Sequence, residues 1–213
     1  MNGERAAAAG PRTLIAVGSV TVAPLALAAA GLVHPHALTA STAAHWADLH
    51  VWLLPVFPLV CVGFVVPLWG RPTRTVTGLL TVLGWLAAFG YACFYTGLDA
   101  VAGIAAGTAA RSAPPGTDLG PLVTPLFQAG DALGHIGAWA FLIAVAACST
   151  ALLLRVGVRV LPGAVVLLGA GYSFLDSHIF WPRGVWTMVA FAVGFGWLAG
   201  VTRERGAATT TSV

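Results

Sequence analysis

The sequence predicts an all-α protein, a polytopic transmembrane bundle of six helices with both termini cytoplasmic. Three observations predict it. The chain is 58% hydrophobic and only 8% charged, against roughly a quarter charged in an average soluble domain. Its apolar residues fall into six runs of about 20, the length that crosses a bilayer. Its basic residues, all arginine, gather at alternate ends of those runs.

The runs lie at about 14–33, 50–69, 76–98, 132–154, 160–176 and 185–201. The first follows Arg5 and Arg12 and also resembles a signal peptide, with small residues Ala28 and Ala30 where a peptidase would cut. Arg5, Arg12, Arg71, Arg74, Arg155, Arg159, Arg203 and Arg205 share one side of a six-helix arrangement, and only Arg111 and Arg183 fall opposite. Short arginine-rich segments stay cytoplasmic, so both ends are expected inside. One domain covers 1–205, and the polar residues 206–213 are expected to form a disordered cytoplasmic tail. The long loop, about 107–123, holds Pro114, Pro115 and Gly116, which exclude a continuous helix there. Gly103 with Gly107, Gly130 with Gly134 and Gly196 with Gly200 make small-x-x-x-small pairs that let helices approach closely. Packing within the bundle is the first expectation for them, and a helix-mediated homo-oligomer the second.

The alanine, glycine, valine and arginine bias points to a high-GC bacterial genome, hence to a multi-pass protein of the cell membrane in contact with membrane lipids. Nucleic acid is not an expected partner, because the arginines are scattered and form no basic stripe. Cys61, Cys93 and Cys148 sit inside apolar runs without a C-x-x-C spacing and read as small core residues.

The remaining ionisable residues segregate. His34, His36, His45, His50, His135 and His178 all fall on the expected outer side, as do Asp48, Asp99, Asp118, Asp131 and Asp176. The arginine rule says little about His or Asp, so it does not account for this. Counting about 30 Å of helix from each inner boundary puts His34, His50, Asp99, His135 and Asp176 with His178 near one level. Asp131 and His135 are four apart and share a helix face. Asp176 and His178 precede Pro182, where the chain could turn both inward. Interfacial histidines, like Trp46, Trp52, Trp139, Trp181 and Trp186, often serve only as headgroup anchors, but ionisable groups at membrane depth are costly and usually pair or line a pathway.

The expectation is a site on the extracytoplasmic face that binds Zn or Cu, with His50, His135, His178 and His34 as ligands. Asp131, Asp176 or Asp99 would orient an imidazole or act as general base on metal-bound water, and the substrate would be a lipid or other amphiphile. His36 and Asp118, in loops, are the weakest members. One alternative is haem b between His50 and His135, or other quinone-linked redox work. Others are a proton-coupled transporter, although the inner halves of the spans lack ionisable residues, and a non-catalytic subunit. Asp131-x-x-x-His135 resembles the copper-binding D-x-x-x-H element of the membrane C subunit of particulate hydrocarbon monooxygenases, but Cys148 stands where that pattern has a further histidine. The Asp and His residues near one face are similar to those of the alkaline ceramidase and adiponectin-receptor hydrolases, whose bundles have seven helices. Each resemblance covers a handful of residues and implies only a type of site.

Overall fold

Six helices long and apolar enough to cross a membrane account for nearly all of the described chain, and no strand occurs among the described residues. The computed structural model describes residues 10–70 and 72–210. Arg5 and Arg71, counted above for orientation, lie outside the described residues. The helices are α1 (Pro11–Val33), α2 (Ala43–Leu53), α3 (Val76–Ser112), α4 (Gly120–Val156), α5 (Leu161–Ser177) and α6 (Arg183–Thr210). With six crossings the described chain starts and ends at one end of the bundle. The connections 34–42, 113–119 and 178–182 lie at the other end.

Each departure from an ideal span has a local cause. Pro55 and Pro58 lack the N–H a helix needs, so α2 gives way after Leu53 to single turns at Val56–Leu59 and Val62–Val65 that complete the crossing. Thr75 starts α3 by accepting a hydrogen bond from the Gly78 amide. Gly157, at φ 87°, ends α4 in a conformation that side-chain-bearing residues avoid. Pro24 and Pro125 lie inside α1 and α4 without ending them.

Several boundaries differ from the expected ones: α4 begins at Gly120 rather than near 132, α6 runs on to Thr210 and so takes in the first part of the expected tail, and two further differences matter for the site. Helix α2 begins at Ala43 rather than near His50, and α3 runs on to Ser112 rather than stopping at Leu98. The alanine-rich lead-ins AAHWADLH and AVAGIAAGTAARS are good helix formers although less apolar than the spans they extend. His50 and Asp99 therefore stand well inside their helices, not at the edge. The same extension shortens the expected loop 107–123 to 113–119, and the segment around Pro125 becomes the first turns of α4.

The main core is a cluster contributed by all six helices and the turns after α2, with Phe57, Phe64, Tyr91, Phe141, Phe174, Phe191 and Phe195 fully buried, and a smaller cluster of Ala43, Ala106, Ala110 and Val123 packs the starts of α2 and α4 against the end of α3. Spans α4 and α6 are the most enclosed. The glycines allow this closeness within the chain. A Cβ on Gly130 would meet Ala102, and one on Gly134 would meet Leu98. A Cβ on Gly107 would come within 2.8 Å of the Ala47 amide nitrogen, so the glycine allows α2 to pack tightly on α3.

Candidate functional site

The extended α3 contains one widened turn. Asp99–Ala105 is π-helical, a widening that occurs within α-helices and frequently at functional sites. It turns Asp99 into the bundle, where the carboxyl group is 0% exposed. Both carboxylate oxygens lack a hydrogen-bond partner. A bare buried carboxylate costs several kcal/mol unless a cation, a donor or a proton compensates it, so this residue holds either a partner or a proton. The turn is tied to α2 by the Trp46 indole N–H, which donates to the Ala102 carbonyl at 3.1 Å. One turn beyond Asp99, Gly103 lies against the His50 ring with no room for a side chain.

His50, two turns into α2, is 2% exposed. Its Nδ1–H donates to the Trp46 carbonyl at 2.7 Å. His34, the residue that ends α1, is 5% exposed, and its Nδ1–H donates to the Pro35 carbonyl at 2.8 Å. Because a carbonyl can only accept, these two contacts fix both tautomers. The remaining nitrogens, His34 Nε2 and His50 Nε2, face each other at 3.4 Å. Two lone pairs pointing at one another repel unless a cation sits between them. Asp99 Oδ1 is 3.9 Å from the same His50 Nε2.

His178 closes the group from α5. Its ring centroid is 6.4 Å from that of His34 and 6.5 Å from that of His50. The residue holds φ 43° with ψ −134°, which is strained for a residue with a side chain. Tyr95 Oη lies 3.0 Å from His178 Nδ1. Trp46, Phe57 and Phe180 wall the group, Phe180 with its centroid 4.5 Å from that of His34. Burial holds the His34 imidazole down at about 4, opposed by the Pro35 carbonyl bond and reinforced by the neighbouring histidines. Burial, then His50 and His34, holds His178 well below the ordinary histidine range. Both rings just beyond their spans are thus kept neutral, the form that ligates metal.

Of the residues expected to form the site, the fold brings His34, His50, His178 and Asp99 together and leaves the others outside that group. His135 is exposed on α4, its Nδ1–H donating to the Asp131 carbonyl at 2.9 Å. It lines a cleft of about 320 Å³ with Asp131, Asp176, Tyr95, His178 and Phe180. His50 does not line that cleft. Asp176 does not turn inward with His178. It stays exposed and pairs with Arg183 at 3.7 Å, since the turn after α5 sends the two side chains apart. Arg111, the other arginine on the far side, pairs with Asp48 at 3.4 Å. His45 Nε2–H donates to the Val33 carbonyl at the end of α1, His36 is exposed, and Asp118 accepts from the Gly120 amide. These last three serve the ends and loops of the helices. Among the described residues, no three or more His, Cys, Asp or Glu side chains already meet the spacing of an assembled metal centre.

Two contributors were not anticipated. Trp46, grouped with the headgroup anchors, is 5% exposed and stacks on His50, whereas Trp52 and Trp186 are largely exposed. Tyr95 is absent from the candidates the sequence offers. Its signal was present, since Tyr91, Tyr95 and Asp99 recur every four residues and so share one face of α3.

The fold defines a class: a six-span integral membrane protein with a polar, largely neutral group enclosed near one end of its bundle. Comparison with protein-family models, with curated proteins and with solved structures gave no match to this chain.

Proposed function

We propose that the chain is a metal-binding membrane protein that holds one Zn or Cu ion between His34 and His50, with Asp99 as the compensating carboxylate and His178 beside them. The observation that carries this reading is the 3.4 Å approach of two Nε2 atoms that, in neutral rings whose Nδ1–H groups donate to backbone carbonyls, face each other as acceptors. Two imidazoles bound to one tetrahedral ion at about 2.0–2.1 Å place their nitrogens about 3.3 Å apart. The orphaned Asp99 oxygens, 3.9 Å from His50 Nε2 at the nearer one, supply the anionic ligand after a small rotation. Backbone carbonyls already hold the opposite nitrogens, as they do behind most histidine ligands.

Three protein ligands leave a coordination position open, the arrangement of catalytic rather than structural zinc. An ion held so polarises a carbonyl or activates water, and a lipid or amphiphile is the substrate class that shares its surroundings. The metal is tested by elemental analysis of protein purified gently in detergent. One equivalent of Zn or Cu per chain is expected in the wild type, and its loss in His34→Ala and His50→Ala with helical circular dichroism preserved. Absence of metal from the wild type, or full retention in both variants, overturns the proposal.

A further inference from the structure

The side chains of the proposed ion site are almost out of contact with solvent, His34, His50 and Asp99 being 5%, 2% and 0% exposed. Resting on the reading of that site as a metal site, we infer that the cleft between α3, α4 and α5 is the path by which a divalent transition-metal cation reaches it, received by Asp131 and His135 at the rim and passed on by His178.

The path is defined by shared residues. The cleft, about 320 Å³, carries Asp131, His135 and Asp176 along with Tyr95, His178 and Phe180. His178 is the one imidazole that belongs both to this lining and to the enclosed group, with its ring 6.4 and 6.5 Å from those of His34 and His50. Phe180 packs on His34 from the same segment. The stretch from His178 to Phe180 is therefore the partition between cleft and ion site. Behind it lies the fully buried carboxylate of Asp99 with both oxygens unpartnered.

Charge distinguishes Asp131 from the other carboxylates at this end of the bundle, Asp176 of the same cleft lining included. Asp48 and Asp176 are each countered by an arginine, and Asp118 caps α4. Asp131 takes part in no ion pair or side-chain hydrogen bond among the described residues, so its charge is free to attract a cation. His135 stands one helical turn from it on the same face, with Nδ1 committed to the Asp131 carbonyl and Nε2 left as an acceptor. A hydrated divalent ion sheds water only as donors replace it. A carboxylate, an imidazole, a second imidazole and then the enclosed pair provide such donors in sequence. A charged rim over low-dielectric walls raises the local cation concentration and the on-rate.

The test is the rate at which EDTA-stripped, full-length protein in detergent takes up Co²⁺, followed by the visible absorption of the bound ion after rapid mixing. Asp131→Asn and His135→Ala are expected to slow uptake roughly threefold or more at low ionic strength, with the final stoichiometry unchanged. Asp48→Asn removes an equal charge at the same end of the bundle but off the cleft, and is expected to load at the wild-type rate. Equal rates in all variants overturn the path, as does equal slowing by Asp48→Asn, which would make the effect a general field. A lowered stoichiometry in either rim variant also overturns it, because the rim would then belong to the binding site itself. A wild type that takes up no Co²⁺ removes the metal reading, a result separate from all of these.

Discussion

Gly103 lies so close against the imidazole of His50 that a Cβ at this position would overlap the ring. The contact couples the widened turn of α3 to α2, and it makes the position of the His50 ring depend on a residue that has no side chain. Gly103→Ala is expected to push His50 away from His34, destabilise the bundle by about 1–3 kcal/mol through overpacking, and weaken metal binding. Thermal unfolding in detergent reads the first effect and metal titration the second. An unchanged affinity would mean that the ring position does not matter for the ion.

Asp99 yields a prediction whose sign reverses with metal. Without an ion its carboxyl group is buried and unpartnered, so Asp99→Asn is expected to leave stability in EDTA unchanged or raise it. With Zn²⁺ present the same variant should lose the stabilisation that bound ligand confers on the folded state, about 2.7 kcal/mol at a hundredfold excess over Kd. Melting curves with and without Zn²⁺ distinguish this from a purely structural carboxylate, which would destabilise the protein in both conditions.

Acid should destabilise the metal-free protein over a defined range. His34 is held at about 4 in the folded state against an ordinary value of 6.5, and His178 is held low as well. The folded pKa values are depressed, so above about pH 6.5 both states are neutral and these groups have no effect. As pH falls below that, the unfolded chain binds protons that the folded chain refuses, and stability drops until His34 itself protonates near 4. The expected loss at pH 5 is on the order of 2 kcal/mol for His34 alone. Unfolding measured in EDTA between pH 8 and 4.5 checks it, and His34→Gln should flatten the profile.

Tyr95→Phe removes the hydroxyl that contacts His178 Nδ1 at 3.0 Å while keeping the ring stacked on Phe174 at 4.5 Å between centroids. A cost of about 1 kcal/mol in stability is expected. If the bond orients His178 toward the ion, metal affinity should also fall, by about tenfold for an outer partner of this kind. Retained affinity alongside the stability loss would restrict the tyrosine to packing.

The arginine distribution predicts which way the bundle faces. Thr117→Cys, in the connection between α3 and α4, should react with a membrane-impermeant maleimide added to intact cells, and a cysteine placed at Gly157 should react only after lysis. The reverse pattern would put the His and Asp residues on the cytoplasmic side.

Membership of the all-α, six-span class was legible in the sequence, because hydrocarbon thickness imposes a run of about 20 apolar residues on every crossing whatever its neighbours are. The residues of the enclosed group were also visible as types, since His and Asp are conspicuous in so apolar a chain. Their assortment was not. His135 and Asp131 were as plausible by depth as His34 and Asp99, and only the packing of α2 on α3, set by Gly103 and Gly107, separates those inside the bundle from those on its rim. The widened turn at Asp99 leaves no mark in hydrophobic periodicity, and the extension of α3 beyond Leu98 reads as loop because it is less apolar than the span it continues. Helix length and number follow from local composition, which each segment carries by itself. Which side chains meet depends on helix rotation, on where a turn widens and on how His178 is turned at the end of α5, and these are decided only when all six helices pack at once.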